Sequence, residues 1–134
     1  YVKMTNITFV VNLLILLIIA WCIGEQRANC GKAIGFRSLA VLMMGAYAFT
    51  WLSCSTIGVI DYHVIAQIVT GISFVGAGLI FKDQSVHNLT TAILVWTMAS
   101  VGVLLGLNKL IEAIILSVVI WCILASKKRD TEGN

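Results

Sequence analysis

The feature that most constrains the fold of this chain is a series of long apolar stretches separated by short polar breaks. A helix that crosses about 30 Å of hydrocarbon needs about 20 predominantly apolar residues. The chain has five stretches close to that length: residues 6–24, 38–56, 64–81, 89–107 and 110–126. We therefore predict an all-α fold, a polytopic membrane bundle of five transmembrane helices.

The composition supports lipid as the surrounding medium. The chain has 134 residues, of which 60% are hydrophobic and 11% charged, and it contains no proline. Soluble domains carry about 45–50% apolar and about 25% charged residues. Nine basic and six acidic residues cannot cover so large an apolar content with a polar surface. This excludes a soluble cytosolic enzyme, a disordered linker and a disulfide-stapled secreted module, and we expect no enzymatic activity.

The distribution of basic residues predicts the orientation of the chain, because basic loops stay on the cytoplasmic side. Two of the nine basic residues, Lys3 and Lys109, fall on one side of the predicted bundle. The other side holds seven: Arg27, Lys32, Arg37, Lys82, Lys127, Lys128 and Arg129. We predict an outside N-terminus and a cytoplasmic C-terminus. Residues 1–126 form the membrane domain and 127–134 a short cytoplasmic tail in this interpretation.

Small residues at helical spacing predict close contacts between helices. Gly102 and Gly106 form a G-x-x-x-G motif in the fourth stretch, and the third carries Gly71, Gly76 and Gly78. Small side chains let two helix backbones approach closely in a membrane. Packing between helices of one subunit and an oligomer seam both explain these positions.

A few polar groups lie at predicted membrane depth or at span ends. We expect the Gln67 amide to face the bundle, because hydrocarbon cannot satisfy its hydrogen bonds. Glu112 lies three residues after Lys109, which favours an ion pair, with a cation or proton site as the alternative. Asp61 is either a solvated loop carboxylate or a weak Mg²⁺ ligand, since Mg²⁺ needs only one or two carboxylates. We expect no cofactor, and Mg²⁺ is the one alternative that we consider. The four cysteines, Cys22, Cys30, Cys54 and Cys122, are interpreted as reduced packing residues.

The loop after the first stretch is the densest polar segment. Arg27 and Arg37 could bind lipid phosphates, pair with Glu25 and Asp83, or hold helix C-terminal carbonyls.

Three segments taken together resemble the MgtC/SapB family of membrane proteins. The first is G-E-Q-R at 24–27, followed by Lys32 and G-F-R-S at 35–38. The second, I-A-Q-I-V-T-G-I-S-F-V-G-A-G-L-I at 65–80, is similar to the family's I-A-A-Q-I-V-S-G-I-G-F-L-G-A-G-x-I signature. The third is Val86 with L-T-T-A at 89–92 and Trp96. The order and separation of the three segments also match those of the family.

The resemblance implies a bacterial inner-membrane protein with five spans. The family is linked to growth at low Mg²⁺, to virulence and to restraint of the ATP synthase. The family positions in this chain are Arg27, Gly35, Arg37, Gln67, Gly71, Gly76, Gly78, Thr90 and Thr91. Gln26 stands where the family has Glu, and the displaced Glu25 is turned by about 100° on a helix. Many members also carry an ACT-like domain, which we expect to be absent from this chain.

We therefore predict a protein that acts by helix–helix association, with itself or with a larger membrane complex. The polar face would be formed near the cytoplasmic side by Arg27, Arg37, Gln67, Thr90 and Thr91. One alternative is an oligomeric transporter or channel for Mg²⁺ or another ion, lined by Gln67, Thr70 and Ser73. Another is a structural subunit of a larger membrane complex. The sequence contains no nucleic-acid-binding motif, and we expect no nucleic-acid partner.

Overall fold

The computed structural model describes residues 5–29, 34–57, 60–81 and 89–132 of the chain. Within these ranges the regular structure is entirely helical, which confirms the all-α prediction. The five helices are α1 (Asn6–Asn29), α2 (Phe36–Ile57), α3 (Tyr62–Phe81), α4 (Leu89–Gly106) and α5 (Leu110–Glu132). The helices α1 to α4 are each long and apolar enough to cross a membrane, and the apolar part of α5 is Leu110–Ser126. The chain is therefore a multi-pass membrane protein, and the orientation of its termini stays a prediction.

The helix ends differ from the predicted span ends, most of all at the ends of α1 and α5. The helix α1 continues to Asn29 and α5 to Glu132, so both extend past their apolar stretches. The helix α3 begins at Tyr62, inside the predicted polar break, because Asp61 caps it: the His63 N–H donates to Asp61 Oδ1 at 2.9 Å. Hydropathy locates the part of a helix that lies in lipid, whereas capping and backbone hydrogen bonds decide where the helix ends.

The helix α4 forms the centre of the bundle and packs closely on α2. A Cβ atom added at Gly102 would lie 2.5 Å from the Met43 carbonyl oxygen and 3.1 Å from the Ala46 Cβ. At Gly106 it would lie 2.6 Å from the Thr50 Cβ. The predicted packing of the G-x-x-x-G motif within one subunit is therefore confirmed.

A second close approach joins the end of α1 to the start of α2. A Cβ atom added at Gly24 would lie 2.5 Å from the Phe36 nitrogen. Gly24 is buried within α1, so the glycine provides a contact surface rather than a helix end. Sequence analysis assigned no packing role to it.

The helix α3 lies at the edge of the bundle. Only 6% of its membrane-spanning window is buried, compared with 56% for α4, although the two helices are similarly apolar. Gly76 is buried, and a Cβ atom there would lie 3.8 Å from the Ala92 carbonyl oxygen of α4. Among the described residues, a Cβ atom at Gly71, Gly78 or Gly35 would meet nothing within 4 Å. The described part of the subunit therefore gives these three glycines no close contact between helices.

The turn between α4 and α5 is closed by backbone hydrogen bonds and one left-handed residue. Asn108 has a φ of 59°, a conformation that asparagine adopts more readily than most residues. The Lys109 N–H donates to the Leu104 carbonyl at 2.9 Å, and the Asn108 N–H to the Leu105 carbonyl at 3.0 Å. This turn fixes where α5 begins relative to the end of α4.

Candidate functional site

A buried arginine joins the last turn of α1 to the first turn of α4. The Arg27 side chain donates from Nη2 to Thr91 Oγ1 at 2.6 Å. Arg27 is only 5% exposed and Thr91 only 3%. A buried guanidinium requires hydrogen-bonding partners, and the last carbonyls of a helix favour a positive charge nearby. The predicted site residues Arg27 and Thr91 are thus brought together, in a contact between two helices.

Gln26 lies beside this contact and reaches α5. Its Nε2 donates to the Trp121 carbonyl oxygen at 3.4 Å, while its Oε1 is buried and has no hydrogen-bond partner among the described residues. The neighbouring Glu25 is exposed. In this chain the carboxamide, and not a carboxylate, occupies the partly buried position next to Arg27.

The structure brings the predicted polar face together only in part, because Gln67 lies at the other end of the bundle from Arg27. Thr90 is half-buried in the first turn of α4, and Arg37 is exposed in the first turn of α2. The suggested pairing with Asp83 lies outside the described residues. Gln67 lies in the second turn of α3, near the end where α2 finishes, whereas Arg27 is at the end where α2 begins. The prediction of one continuous polar face is therefore wrong, because α3 starts at the end where α2 finishes.

Gln67 also faces differently from the prediction. Its side chain is exposed on α3 and lines a groove between α2 and α3 with a volume of about 550 Å³. The side of α3 that points toward α4 is occupied by Ile65, Ile68 and Ile72. Because apolar residues occupy the bundle-facing side, the prediction that Gln67 points into the bundle is wrong.

A second polar cluster lies at the opposite end of the bundle. Asn12 Nδ2 donates to the Leu105 carbonyl oxygen and to Asn108 Oδ1, both at 3.3 Å. The Tyr47 hydroxyl donates to the Phe9 carbonyl oxygen at 3.1 Å. Sequence analysis missed this cluster, although a lone asparagine within the apolar run of α1 was the signal that could have revealed it.

The two candidate metal-ligating carboxylates already have local contacts. Asp61 caps α3, as described above, and Glu112 Oε1 pairs with Lys109 Nζ at 3.1 Å. The predicted ion pair is confirmed, and both of its side chains are half-exposed at 51%. Within the described part of the chain, no three His, Cys, Asp or Glu side chains form a group that could hold a metal ion. Each carboxylate could offer Mg²⁺ only one or two oxygens.

Comparison with known proteins decides the family. Residues 13–132, which include both polar clusters apart from Phe9 and Asn12, match the MgtC family. The chain belongs to the MgtC family. It is 33% identical to the protein MgtC of Salmonella typhimurium strain LT2 over 121 residues, which cover 90% of this chain and 52% of the relative.

Two further MgtC-family relatives show similar likeness. YhiD of Escherichia coli strain K12, whose description proposes magnesium transport, is 32% identical over 108 residues, 73% of this chain and 50% of the relative. The protein MgtC of Brucella abortus is 38% identical over 100 residues, 73% of this chain and 42% of the relative. The chain thus spans about half the length of the curated relatives it matches. No solved structure matches it.

Six of the nine positions that the family resemblance marks form two groups in this structure, while Gly35 and Thr90 are half-buried and Arg37 is exposed on α2. Arg27, Thr91 and Gly76 are buried in contacts between helices of the chain. Gln67, Gly71 and Gly78 are exposed along α3. Arg27, Thr91 and Gly76 thus contribute to contacts that hold the bundle together. Gln67, Gly71 and Gly78 are on the surface of α3, where a partner outside the bundle can contact them.

Proposed function

We propose that this protein is a multi-pass protein of the bacterial inner membrane that supports adaptation to low Mg²⁺. It acts by association of α3 with another membrane helix. Family membership and the described relatives support the connection with Mg²⁺. The mode of action is supported by one observation, which is that three exposed family positions, Gln67, Gly71 and Gly78, lie together on α3, the least buried of the four spanning helices.

The chemistry of α3 favours a protein partner. Glycines at Gly71 and Gly78 add no side chain to the surface, so a partner backbone can come close and gain dispersion energy that lipid does not supply. The partner is a second copy of the chain or a larger membrane complex, and the ATP synthase is the complex that the family resemblance suggests.

The test of the proposal is growth at low Mg²⁺ of a bacterial host that lacks its own MgtC-family gene and expresses this chain instead. We expect Gly71→Leu to abolish support of growth, because its side chain keeps a partner helix away from α3. The protein should still accumulate in the membrane, since no described residue lies within 4 Å of the new Cβ. Gly45→Leu is the matched control, since Gly45 has equally open surroundings among the described residues, lies on α2 and is not one of the family positions. Growth support by Gly71→Leu equal to that of Gly45→Leu would contradict the proposal.

Ion transport is the second candidate, and the description of YhiD is the observation that favours it. A pathway along α3 would use Gln67, Thr70 and Ser73. The Thr70 hydroxyl donates to the Ala66 carbonyl at 3.0 Å and the Ser73 hydroxyl to the Val69 carbonyl at 2.8 Å. Their donors are therefore used within α3, although their oxygens remain available to a cation.

Flux of Mg²⁺ into liposomes that contain the purified protein separates the two candidates. Sustained flux, lost in Gln67→Leu, favours transport. Absence of flux together with loss of growth in Gly71→Leu favours association. Stoichiometric co-purification with other chains identifies a subunit of a larger complex.

A further inference from the structure

The groove between α2 and α3 is long and narrow. On α3 it runs from His63 to Val75, which is about 18 Å along the helix axis. Its volume of about 550 Å³, spread over that length, gives a mean cross-section of about 30 Å². A helix about 10 Å across has a cross-section of about 80 Å². A transmembrane helix would therefore cover the groove without filling it, whereas a single extended hydrocarbon chain is thin enough to enter it.

Glycines on both walls keep the groove open. Gly45 of α2 and Gly71 of α3 line it, and among the described residues a Cβ atom at either would meet nothing within 4 Å. The glycines of α4 differ, because Gly102 and Gly106 lie directly against α2. Walls that face an unfilled space lose dispersion contacts, so an occupant of matching shape stabilises the pair of helices.

The polarity of the groove changes along its length. His63 and Gln67 line it at the end where α3 begins, and the rest of its described lining is apolar. The far end is formed by Val41 of α2 and Val75 of α3. One polar end followed by a long apolar remainder is the profile of a lipid, in which a polar ester group is joined to an acyl chain.

The depth of the groove matches one leaflet of a bilayer. The helix α3 begins at Tyr62, and tyrosine is enriched at the membrane–water interface. Gln67 lies about 8 Å further along the helix, close to the thickness of the polar layer on one side of the hydrocarbon. Val75 lies about 12 Å beyond Gln67, within the hydrocarbon half-thickness of about 15 Å. A chain that starts at Gln67 and ends at Val75 thus reaches about as far as an acyl chain of one leaflet.

We propose that one acyl chain of a membrane phospholipid occupies this groove, with its ester group at Gln67 and its methyl end between Val41 and Val75. The Gln67 amide has two N–H donors that hydrocarbon cannot satisfy, and an ester carbonyl oxygen accepts from such a donor. The membrane that surrounds this multi-pass protein supplies the lipid. The inference goes beyond the proposed function and does not depend on it, because it concerns the side of α3 that faces α2.

Photolabelling in vesicles tests the occupant. The full chain is reconstituted in palmitoyl-oleoyl phosphatidylcholine that contains a trace of phosphatidylcholine with a diazirine at the methyl end of one acyl chain. After irradiation, the labelled residues are mapped by mass spectrometry. Val75 is 46% exposed and lines the groove, whereas the adjacent Phe74 is 83% exposed and does not line it. We expect several-fold more label at Val75 than at Phe74, whereas lipid that only surrounds the bundle would label Phe74 more.

Two variants relate the label to the groove. Gly45→Leu places a side chain in the groove and should lower the label at Val75 several-fold while the label at Phe74 stays unchanged. Gly35→Leu is the matched control, because a Cβ atom there also meets no described residue within 4 Å and Gly35 does not line the groove. The control should be labelled as the wild type is.

A second measurement does not depend on how Gly45→Leu folds. The wild-type chain is released from detergent micelles in a native mass spectrometer, and we expect one phospholipid to remain bound. Gln67→Leu removes the amide at similar side-chain size and should retain several-fold less phospholipid.

Three results would overturn the inference. Label at Val75 no stronger than at Phe74 would mean that lipid only surrounds α3, or that a protein helix or a shift of α3 closes the groove. Equal label at Val75 in Gly45→Leu and Gly35→Leu would mean that the label does not come from the groove. Equal phospholipid retention by the wild type and Gln67→Leu would remove the ester group from Gln67.

Discussion

The helices α3 and α4 are similar in length and in hydropathy, yet they hold opposite places in the bundle. The glycines of α4 lie against the backbone and side chains of α2, with no room for a Cβ atom at Gly102 or Gly106. Two glycines of α3, Gly71 and Gly78, face open space. Glycines at helical spacing thus form the contact with α2 in α4, whereas in α3 they lie exposed on the surface of the bundle.

This difference shows what hydropathy does and does not report. Lipid tails and a protein core are both apolar, so a lipid-facing helix and a central helix have the same composition. Contacts to neighbouring backbones distinguish them. Two polar contacts of α1 also go to α4: Arg27 donates a hydrogen bond to the first turn of α4, and Asn12 donates one to its last turn.

Filling the closest contact of α4 should have the largest effect. In Gly102→Leu the new Cβ would lie 2.5 Å from the Met43 carbonyl, so α2 and α4 must separate. We expect a loss of at least about 3 kcal/mol of folding free energy, at the upper end of overpacking effects. The check is the yield of monodisperse protein and its unfolding midpoint in detergent, with Gly102→Ala expected to lose less. An unchanged midpoint for Gly102→Leu would place α4 outside the core.

Removal of the acceptor for Arg27 should have the next largest effect. Thr91→Val preserves the shape of the side chain but leaves a buried guanidinium without this hydrogen bond. Hydrogen bonds to charged groups contribute about 1.5–3 kcal/mol, so we expect a loss of about 2 kcal/mol. Chemical unfolding measures it, with Thr90→Val as the neighbouring control, since Thr90 is only half-buried. Equal losses for the two variants would show that the Arg27 contact contributes nothing specific.

At the other end of α4, Asn12→Leu should cost about 1 kcal/mol. It removes the hydrogen bonds to the Leu105 carbonyl and to Asn108, and polar contacts between membrane helices are worth about 1 kcal/mol or less. Faster amide exchange at Asn108 and Lys109 should accompany the loss, because the turn is then held only by its own backbone bonds. Unchanged exchange there would show that Asn12 does not stabilise the turn.

The smallest effect is expected at the start of α3. Asp61→Ala removes the cap that accepts the His63 N–H and should cost about 0.5 kcal/mol, the low end for such caps, because the helix is at the edge. Amide exchange should increase at residues 62–65 only, and Asp61→Asn, which keeps the acceptor, should behave as the wild type. An increase that spread into α4 would indicate that α3 is more tightly coupled to the core than the structure indicates.

The sequence alone predicted the number of helices and the position of each apolar stretch, because the cost of burying polar groups in lipid is a local property. It also predicted the Lys109–Glu112 pair, whose partners are three residues apart. It did not predict the Arg27–Thr91 contact, which joins residues 64 apart, or the outward direction of Gln67. Those depend on which helix lies next to which, and apolar periodicity does not encode that order when all faces are apolar.

The most direct test of the contrast between α3 and α4 is one substitution made at four glycines. The unfolding midpoints of Gly71→Leu, Gly78→Leu, Gly102→Leu and Gly106→Leu are measured in the same detergent, at a concentration at which all the proteins are monomeric. We expect the α3 pair to unfold at the wild-type midpoint and the α4 pair to unfold far below it. A fall of the α3 pair as deep as that of the α4 pair would contradict the account.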